Sequence, residues 1–171
     1  MTQSAVLKAL EVARDREKGG NRFYLEAAQK TSDVKGKHMF EWLAKEELKH
    51  LQWLEQQNQA LLQGKPWQKV AGLGEPVIRS SDFPDVAEVS GHVKPETGEL
   101  EALRLGIQAE KESIAMYAKA SEETLDADGK AMFSRLVQEE QAHLDLLQDE
   151  YEWLRKSGQY FTLHRFQLPS R

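Results

Sequence analysis

Residues 140–143 read Glu-Gln-Ala-His and residues 47–50 read Glu-Leu-Lys-His, so a glutamate twice stands three residues before a histidine. On an α-helix three residues are most of one turn, and both side chains therefore project from one face toward a single point. One such pair is common by chance in a charged helix. Two pairs, each with a further glutamate 30 residues upstream, predict that both contribute to one site.

The two pairs belong to an internal repeat, in which the halves of the chain align without gaps at an offset of 93 residues. The aligned residues include Leu10 with Leu103, Glu17 with Glu110, Tyr24 with Tyr117, Asp33 with Asp126, Phe40 with Phe133, Glu47 with Glu140, His50 with His143 and Leu61 with Leu154. The polar positions repeat together with the apolar ones, which unrelated amphipathic helices would not do. Each half is predicted to be a helical hairpin, and two hairpins close into an all-α four-helix bundle.

Apolar residues recur at steps of three and four in four segments, which we predict to be helices. These segments are residues 4–32, 34–63, 96–125 and 128–157. Residues 65–95 contain four of the five prolines and are predicted to be a crossover that follows the length of the bundle. Residues 159–171 are predicted to be a tail that packs on the bundle or on a partner chain. All 171 residues then form a single domain.

Several acids lie on the inward stripes of these helices, where apolar residues are expected. Together with the two histidines, the set is Glu17, Glu47, His50, Glu110, Glu140 and His143. Periodicity alone does not separate Glu46 from Glu47. Burying four carboxylates without partners costs on the order of several kcal/mol, so protons or cations must balance their charge. Two divalent ions would offset four negative charges and leave two neutral imidazoles as nitrogen donors. Such ligands suit iron or manganese, with zinc as an alternative that lacks redox chemistry.

Tyr24 and Tyr117 lie two turns beyond the first glutamate of each half, on the same stripes. We predict that their hydroxyls hydrogen-bond ligand carboxylates and orient them, although core aromatics with other partners would give the same pattern. Gly19 and Gly20 each weaken the first helix by about 1 kcal/mol relative to alanine. Either a neighbouring group needs the room, or the packing tolerates them. The tryptophans, Trp42, Trp53, Trp67 and Trp153, are predicted to be packing or interface residues, and His92 a loop histidine.

The composition narrows the class of protein. The absence of cysteine excludes disulfides, iron–sulfur clusters and thiol catalysis, and it permits a reducing compartment. The net charge of −5 gives no reason to expect nucleic-acid binding. Neither a signal peptide nor an apolar stretch of membrane-spanning length is seen, and a soluble cytoplasmic protein is therefore expected.

The repeated run resembles the rubrerythrin branch of the ferritin-like superfamily. It reads Glu17…Tyr24…Gly-Lys…Phe40-x-x-Leu-x-x-Glu-Glu-x-x-His50, and it recurs from Glu110 to His143. The resemblance implies a ferritin-like bundle, two iron ions, and Glu47 and Glu140 as ligands rather than the acids that precede them. It also implies reduction of hydrogen peroxide with electrons from a rubredoxin-type donor.

The sequence departs from that family at two points. It has no cysteines for a rubredoxin domain, so electrons would come from a separate protein. Ser113 stands where rubrerythrins carry an additional glutamate. The remaining six ligands are as close to a ferritin-type ferroxidase centre as to a peroxidase. We therefore expect a di-iron oxidoreductase that reduces peroxide or O₂, with a slow iron-handling ferroxidase or a metal-free helical interaction module as alternatives. Exchange of hairpins across the long connection would give a homodimer.

Overall fold

The computed structural model describes residues 1–69 and 97–160, and these residues form four α-helices. The helices are α1, Gln3–Lys30; α2, Val34–Leu62; α3, Thr97–Glu123; and α4, Ala127–Ser157. Every boundary lies within two residues of its predicted position, and the predicted all-α fold of two hairpins is confirmed. Residues 70–96, which include His92 and most of the predicted crossover, lie outside the described residues, as do residues 161–171 of the predicted tail.

Equivalent aspartates start the second helix of each hairpin. The carboxylate of Asp33 accepts hydrogen bonds from the N–H groups two and three residues later, at 2.7 and 3.1 Å. Asp126 caps α4 in the same way at 2.9 and 3.0 Å. A cap of this kind stabilises a helix by about 1 kcal/mol. At its other end α4 stops at Gly158, whose φ of 74° is the left-handed conformation that glycine adopts without steric cost.

The helix directions explain why the chain needs a long connection. The start of α1 lies against the end of α2, where the side chain of Gln3 donates to the carbonyl of Leu61 at 3.3 Å. It also lies against the end of α3, where the amino group of Met1 contacts the carbonyl of Glu123. The end of α2 and the start of α3 are therefore at opposite ends of the bundle.

The apolar core consists of two clusters with a polar layer between them. One cluster contains Tyr24, Phe40, Leu43, Leu103, Leu146 and Leu147. The other contains Leu10, Leu54, Tyr117, Phe133 and Leu136. Along each helix one cluster precedes the predicted site residues and the other follows them. Residues that are equivalent in the repeat lie in opposite clusters, as Leu10 and Leu103 do. The site lies between the clusters, in the middle of the bundle.

The repeat extends beyond the helices to a pair of aromatic rings. Trp67 and Tyr160 are 93 positions apart, and both are buried. The ring of Trp67 packs on Gly129 and that of Tyr160 on Gly36, so closely that an added Cβ at either glycine would collide with the ring. The one described aromatic residue of the tail thus packs on the bundle. The ring of Trp67 thus covers the first turn of α4, and the ring of Tyr160 covers the first turn of α2.

Candidate metal centre

The polar layer contains all six side chains that the sequence places on the inward stripes. Their relative exposures are 0% for Glu17, 4% for Glu47, 0% for His50, 3% for Glu110, 0% for Glu140 and 1% for His143. α1 and α3 supply one glutamate each, whereas α2 and α4 each supply a glutamate and a histidine one turn apart. Four acids and two imidazoles therefore share an interior from which water is excluded.

The donor atoms form two interlocking groups, in each of which all atoms lie within 4.8 Å of one another. The first group is Glu17, Glu47, His50 and Glu140, and the second is Glu47, Glu110, Glu140 and His143. Glu47 and Glu140 belong to both groups. The repeat converts one group into the other, so the layer offers two equivalent positions that share two carboxylates.

Glu140 lies between the two imidazoles. Its Oε2 is 3.0 Å from Nδ1 of His143, and its Oε1 is 3.2 Å from Nδ1 of His50. The other carboxylates approach the same nitrogens, with Glu17 Oε2 at 3.5 Å from His50 and Glu47 Oε1 at 3.4 Å from His143. The two rings stack with their centroids 5.4 Å apart. Both Nδ1 atoms therefore face the acids.

The acids differ in their affinity for protons. Burial raises the pKa of Glu47 and of Glu110 well above the ordinary value, and the negative charge of Glu140 adds to this effect. Burial also acts to raise the pKa of Glu140, but the attraction of His50 and His143 outweighs it and holds that pKa below its ordinary value. Burial lowers the pKa of His50, but Glu140 and Glu17 more than compensate and raise it. Without metal, the layer balances its charge by keeping protons on part of the set.

Two tyrosines cross between α1 and α3. The hydroxyl of Tyr24 on α1 donates to Oε1 of Glu110 on α3, and the hydroxyl of Tyr117 on α3 donates to Oε1 of Glu17 on α1. Burial, followed by the charge of the accepting glutamate, raises the pKa of each tyrosine well above its ordinary value. Both hydroxyls therefore keep their protons and act as donors. Each one orients the carboxylate of the opposite hairpin rather than of its own helix.

Many atoms of the layer lack a hydrogen-bond partner. They are Glu17 Oε2, Glu47 Oε1, Nδ1 and Nε2 of His50, Glu140 Oε1, and His143 Nε2. Buried polar atoms are nearly always paired, because an unpaired one costs about 1–3 kcal/mol. Such a concentration of unpaired oxygen and nitrogen donors fits the coordination of cations. Carboxylates with one imidazole per position are the donors that iron and manganese accept.

The comparisons with known proteins agree with this geometry. The model of the Rubrerythrin family matches residues 8–151. The chain belongs to the rubrerythrin family. A solved structure described as a hypothetical protein from Pyrococcus furiosus is similar, with a TM-score of 0.66 and 25% sequence identity over 88% of this chain and 90% of that chain. No curated protein matches the sequence. Family membership and the buried acid–histidine layer together indicate a metal-binding protein, and the predicted resemblance is confirmed.

A cleft of about 340 Å³ between α1 and α3 reaches this rubrerythrin-type layer from the surface. Glu47 and Glu110 form its inner wall, and Gly19 and Gly20 lie along its side. A Cβ at Gly20 would be 3.1 Å from Oε2 of Glu47, whereas one at Gly19 would meet nothing within 4 Å. Of the two explanations for these glycines, the need for room therefore holds at Gly20, and tolerance holds at Gly19.

Arg16 contributes to the same cleft, and sequence reasoning did not identify it. Its Nε donates to the hydroxyl of Ser113 at 2.7 Å, and its Nη1 donates to Glu112 at 3.1 Å. Ser113 is itself buried. The partners of Arg16 are almost a hundred residues away in sequence, and helical spacing gives no sign of them.

Two of the tryptophans pack directly on the imidazoles. Trp42 meets the ring of His143 edge-on with centroids 5.6 Å apart, and Trp53 lies 5.5 Å from the ring of His50. The predicted packing role is therefore correct, but its partner is the site itself. The contact of Trp53 could have been predicted from the sequence, since it follows His50 by three positions on one face of α2.

Among residues 1–69 and 97–160, no helical segment has the apolar length of a membrane span.

Proposed function

We propose that this protein is a non-haem di-iron oxidoreductase, which reduces hydrogen peroxide or O₂ with electrons from an external donor. The two interlocking donor groups that share Glu47 and Glu140 are the observation that carries this proposal. Four carboxylates in a buried layer are stable when two divalent cations balance their charge. The alternative of a metal-free interaction module leaves the unpaired atoms of the layer without an explanation.

Each ligand has a role that follows from its place in the groups. Glu17 and His50 would hold one ion, Glu110 and His143 the other, and Glu47 and Glu140 would lie between the two. Iron ions bound there would supply two electrons together to the oxidant. Manganese or zinc also fits these donors, and zinc would give no redox activity.

Tyr24 and Tyr117 position the ligands rather than take part in the reaction. Each hydroxyl binds one oxygen of a carboxylate, and this fixes the direction of the remaining oxygen. Hydrogen-bond partners of metal ligands typically increase metal affinity by roughly 10- to 100-fold. Because they cross between α1 and α3, they also hold the two hairpins at a fixed separation around the layer.

The cleft gives a small oxidant a route to the layer. It ends at Glu47 and Glu110, two of the proposed ligands, so an oxidant that enters it would arrive beside the metal positions. Reduction of H₂O₂ to two molecules of water consumes two protons and two electrons, and the cleft is the route by which protons from solvent would reach the layer. The two apolar clusters exclude bulk water from both sides.

The 171 residues contain no cysteine that could hold an iron–sulfur centre or a rubredoxin-type iron, which supports an external source of electrons. We propose a separate rubredoxin-type protein as the donor. We also propose a homodimer. The long connection between the two hairpins of each chain would allow two chains to exchange hairpins.

A ferroxidase that handles iron with slow turnover is the second candidate. It is favoured by the contact between Arg16 and Ser113, which puts a cation and a hydroxyl where a peroxidase of this family has a further acid. Such an enzyme would oxidise added Fe(II) repeatedly and would need no electron donor.

Anaerobic stopped-flow spectroscopy distinguishes these activities. Protein loaded with two equivalents of Fe(II) is mixed with H₂O₂ or with O₂, and the appearance of Fe(III) is recorded. A peroxidase oxidises both ions with one H₂O₂, and turns over only when a reduced donor is added. A ferroxidase continues to consume Fe(II) without a donor. The oxidoreductase proposal is wrong if neither oxidant reacts faster than with free Fe(II), or if the Glu47→Gln/Glu140→Gln variant reacts equally fast.

A further inference from the structure

A third donor group lies next to the layer and is not explained by two metal positions. It consists of Glu46, His50 and His143, whose donor atoms are also within 4.8 Å of one another. Both imidazoles are buried, but the side chain of Glu46 is 19% exposed. The group therefore connects the surface of α2 with the two histidines of the interior.

The described part of the second hairpin has no such group, although its sequence contains the equivalent acid. Glu139 is the repeat partner of Glu46, but the guanidinium of Arg135 binds its carboxylate at 2.8 Å. Glu139 belongs to none of the three donor groups. The residue equivalent to Arg135 in the first half is Trp42, which has no charge to offer. Within residues 1–69 and 97–160, the cation that pairs with Glu46 is Lys49, whose side chain is 40% exposed.

The chemistry of imidazole limits what this third group can do. A neutral imidazole has one nitrogen lone pair for a metal, because its other nitrogen carries a proton. His50 and His143 thus cannot bind an ion beside Glu46 while each binds an ion among the inner carboxylates. The outer position competes with the inner ones. The Nε2 atoms of both rings are buried and have no hydrogen-bond partner among the described protein atoms. These nitrogens are therefore not engaged by the protein and can serve as metal ligands.

We propose that Glu46, His50 and His143 form a loading position, where a divalent cation binds first before it passes to the inner carboxylates. The inference rests on the proposed di-metal function. The partly exposed carboxylate of Glu46 attracts the cation from solvent. The ammonium group of Lys49 binds the same carboxylate and therefore competes with the incoming cation.

The test is the rate at which the full-length metal-free protein takes up Co²⁺, followed by stopped-flow absorption of the bound ion. Glu46→Gln should load about fivefold or more slowly, because the attracting charge is lost. Lys49→Met should load faster, because the competing charge is lost. Glu41→Gln is the matched control. It removes the same charge from α2 at a residue outside all three donor groups, and should load at the wild-type rate.

The final stoichiometry separates a loading position from an ordinary ligand. Wild type, Glu46→Gln and Lys49→Met should all reach two Co²⁺ per chain. The inference is overturned if Glu46→Gln loads at the wild-type rate, if it binds fewer than two ions at equilibrium, or if wild type binds a third ion tightly. Failure of the wild-type protein to bind Co²⁺, Fe²⁺ or Mn²⁺ would overturn the proposed function itself. Circular dichroism of each variant checks that the helices are intact.

Discussion

The two hairpins are nearly identical where they face the polar layer and differ where they border it. Glutamate, histidine and tyrosine recur at every equivalent inward position. At the borders, however, Arg16 corresponds to Ala109 and Gly20 to Ser113. The acids and imidazoles are costly to bury, so their exact repetition points to a function that needs both copies. The differing borders give the layer two unlike sides, with the cleft on one and the partly exposed Glu46 on the other.

Substitutions of Glu47 and Glu140 should have the largest effects on metal binding and stability. The two residues are equivalent in the repeat, but their surroundings differ. Replacing either residue by glutamine should abolish tight binding at both metal positions, since both groups share it. In the metal-free protein, Glu140→Gln should cost about 3 kcal/mol, because it breaks buried pairs with two imidazoles. Glu47→Gln should change the free energy of unfolding by less than about 1 kcal/mol, because the raised pKa already favours the neutral form.

Urea denaturation of the metal-free variants, combined with metal analysis, measures these differences. Glu26→Gln is a suitable control, since Glu26 is exposed and lies outside the donor groups. Equal destabilisation by Glu47→Gln and Glu140→Gln would show that the two acids are not differently protonated.

Metal should stabilise the protein more as the pH rises. Glu47 and Glu110 have raised pKa values in the folded metal-free chain, so their contribution to stability is complete below the ordinary glutamate pKa of about 4.3 and is lost as the pH rises through the raised values. Metal displaces those protons, so its affinity increases over the same range. At a thousandfold excess over Kd, one bound ion adds about 4 kcal/mol.

Thermal denaturation with and without metal, between about pH 5 and pH 8, tests this linkage. The difference in Tm should widen toward high pH, and a pH indicator should report proton release when metal is added. Removal of the metal by a chelator should return the protein to the metal-free curve. A difference in Tm that is independent of pH would mean that metal binding displaces no protons from these acids.

The tyrosines should show the symmetry of the layer. Tyr24→Phe removes the donor to Glu110, and Tyr117→Phe removes the donor to Glu17, so each variant should weaken a different metal position. The expected loss is roughly 10- to 100-fold in affinity at that position. Calorimetric titration of both variants should show one weakened and one normal site. If neither variant changes either affinity, the tyrosines serve only to pack the core.

The smallest effect comes from the two adjacent glycines. Gly19→Ala should stabilise α1 by about 0.5–1 kcal/mol, because alanine has the higher helix propensity and the site is open. Gly20→Ala should gain less, because its Cβ would press on the carboxylate of Glu47. Gly20→Ala should also weaken metal binding, and Gly19→Ala should not. Identical behaviour of the two variants would show that Glu47 needs no room beside Gly20.

The sequence was sufficient to predict the fold and the position of all six site residues, because the repeat carries polar and apolar positions together. It also predicted that the tyrosine hydroxyls would be near carboxylates. It did not predict that Tyr24 binds Glu110 across the bundle, because that choice depends on which helices are neighbours. Periodicity within one helix contains no such information.

Other contacts were missed for related reasons. The contact of Arg16 with Ser113 joins two surfaces that meet only when the hairpins pack. The equivalence of Trp67 and Tyr160, by contrast, could have been found, since the offset of the repeat continues to these two residues. Extending an internal alignment beyond the helices is therefore worthwhile. The different partners of Glu46 and Glu139 follow from one substitution, Trp42 in place of an arginine, at a neighbouring position.

The most direct test of the central claim is metal analysis of the purified protein together with anomalous diffraction from its crystals. The proposed function predicts two metal ions per chain, one beside His50 and one beside His143, with Glu47 and Glu140 between them. Absorption-edge data from the same crystals would identify the element. Fewer than half an equivalent of iron, manganese or zinc per chain, or an anomalous signal away from this layer, would contradict the claim that cations balance the buried acids.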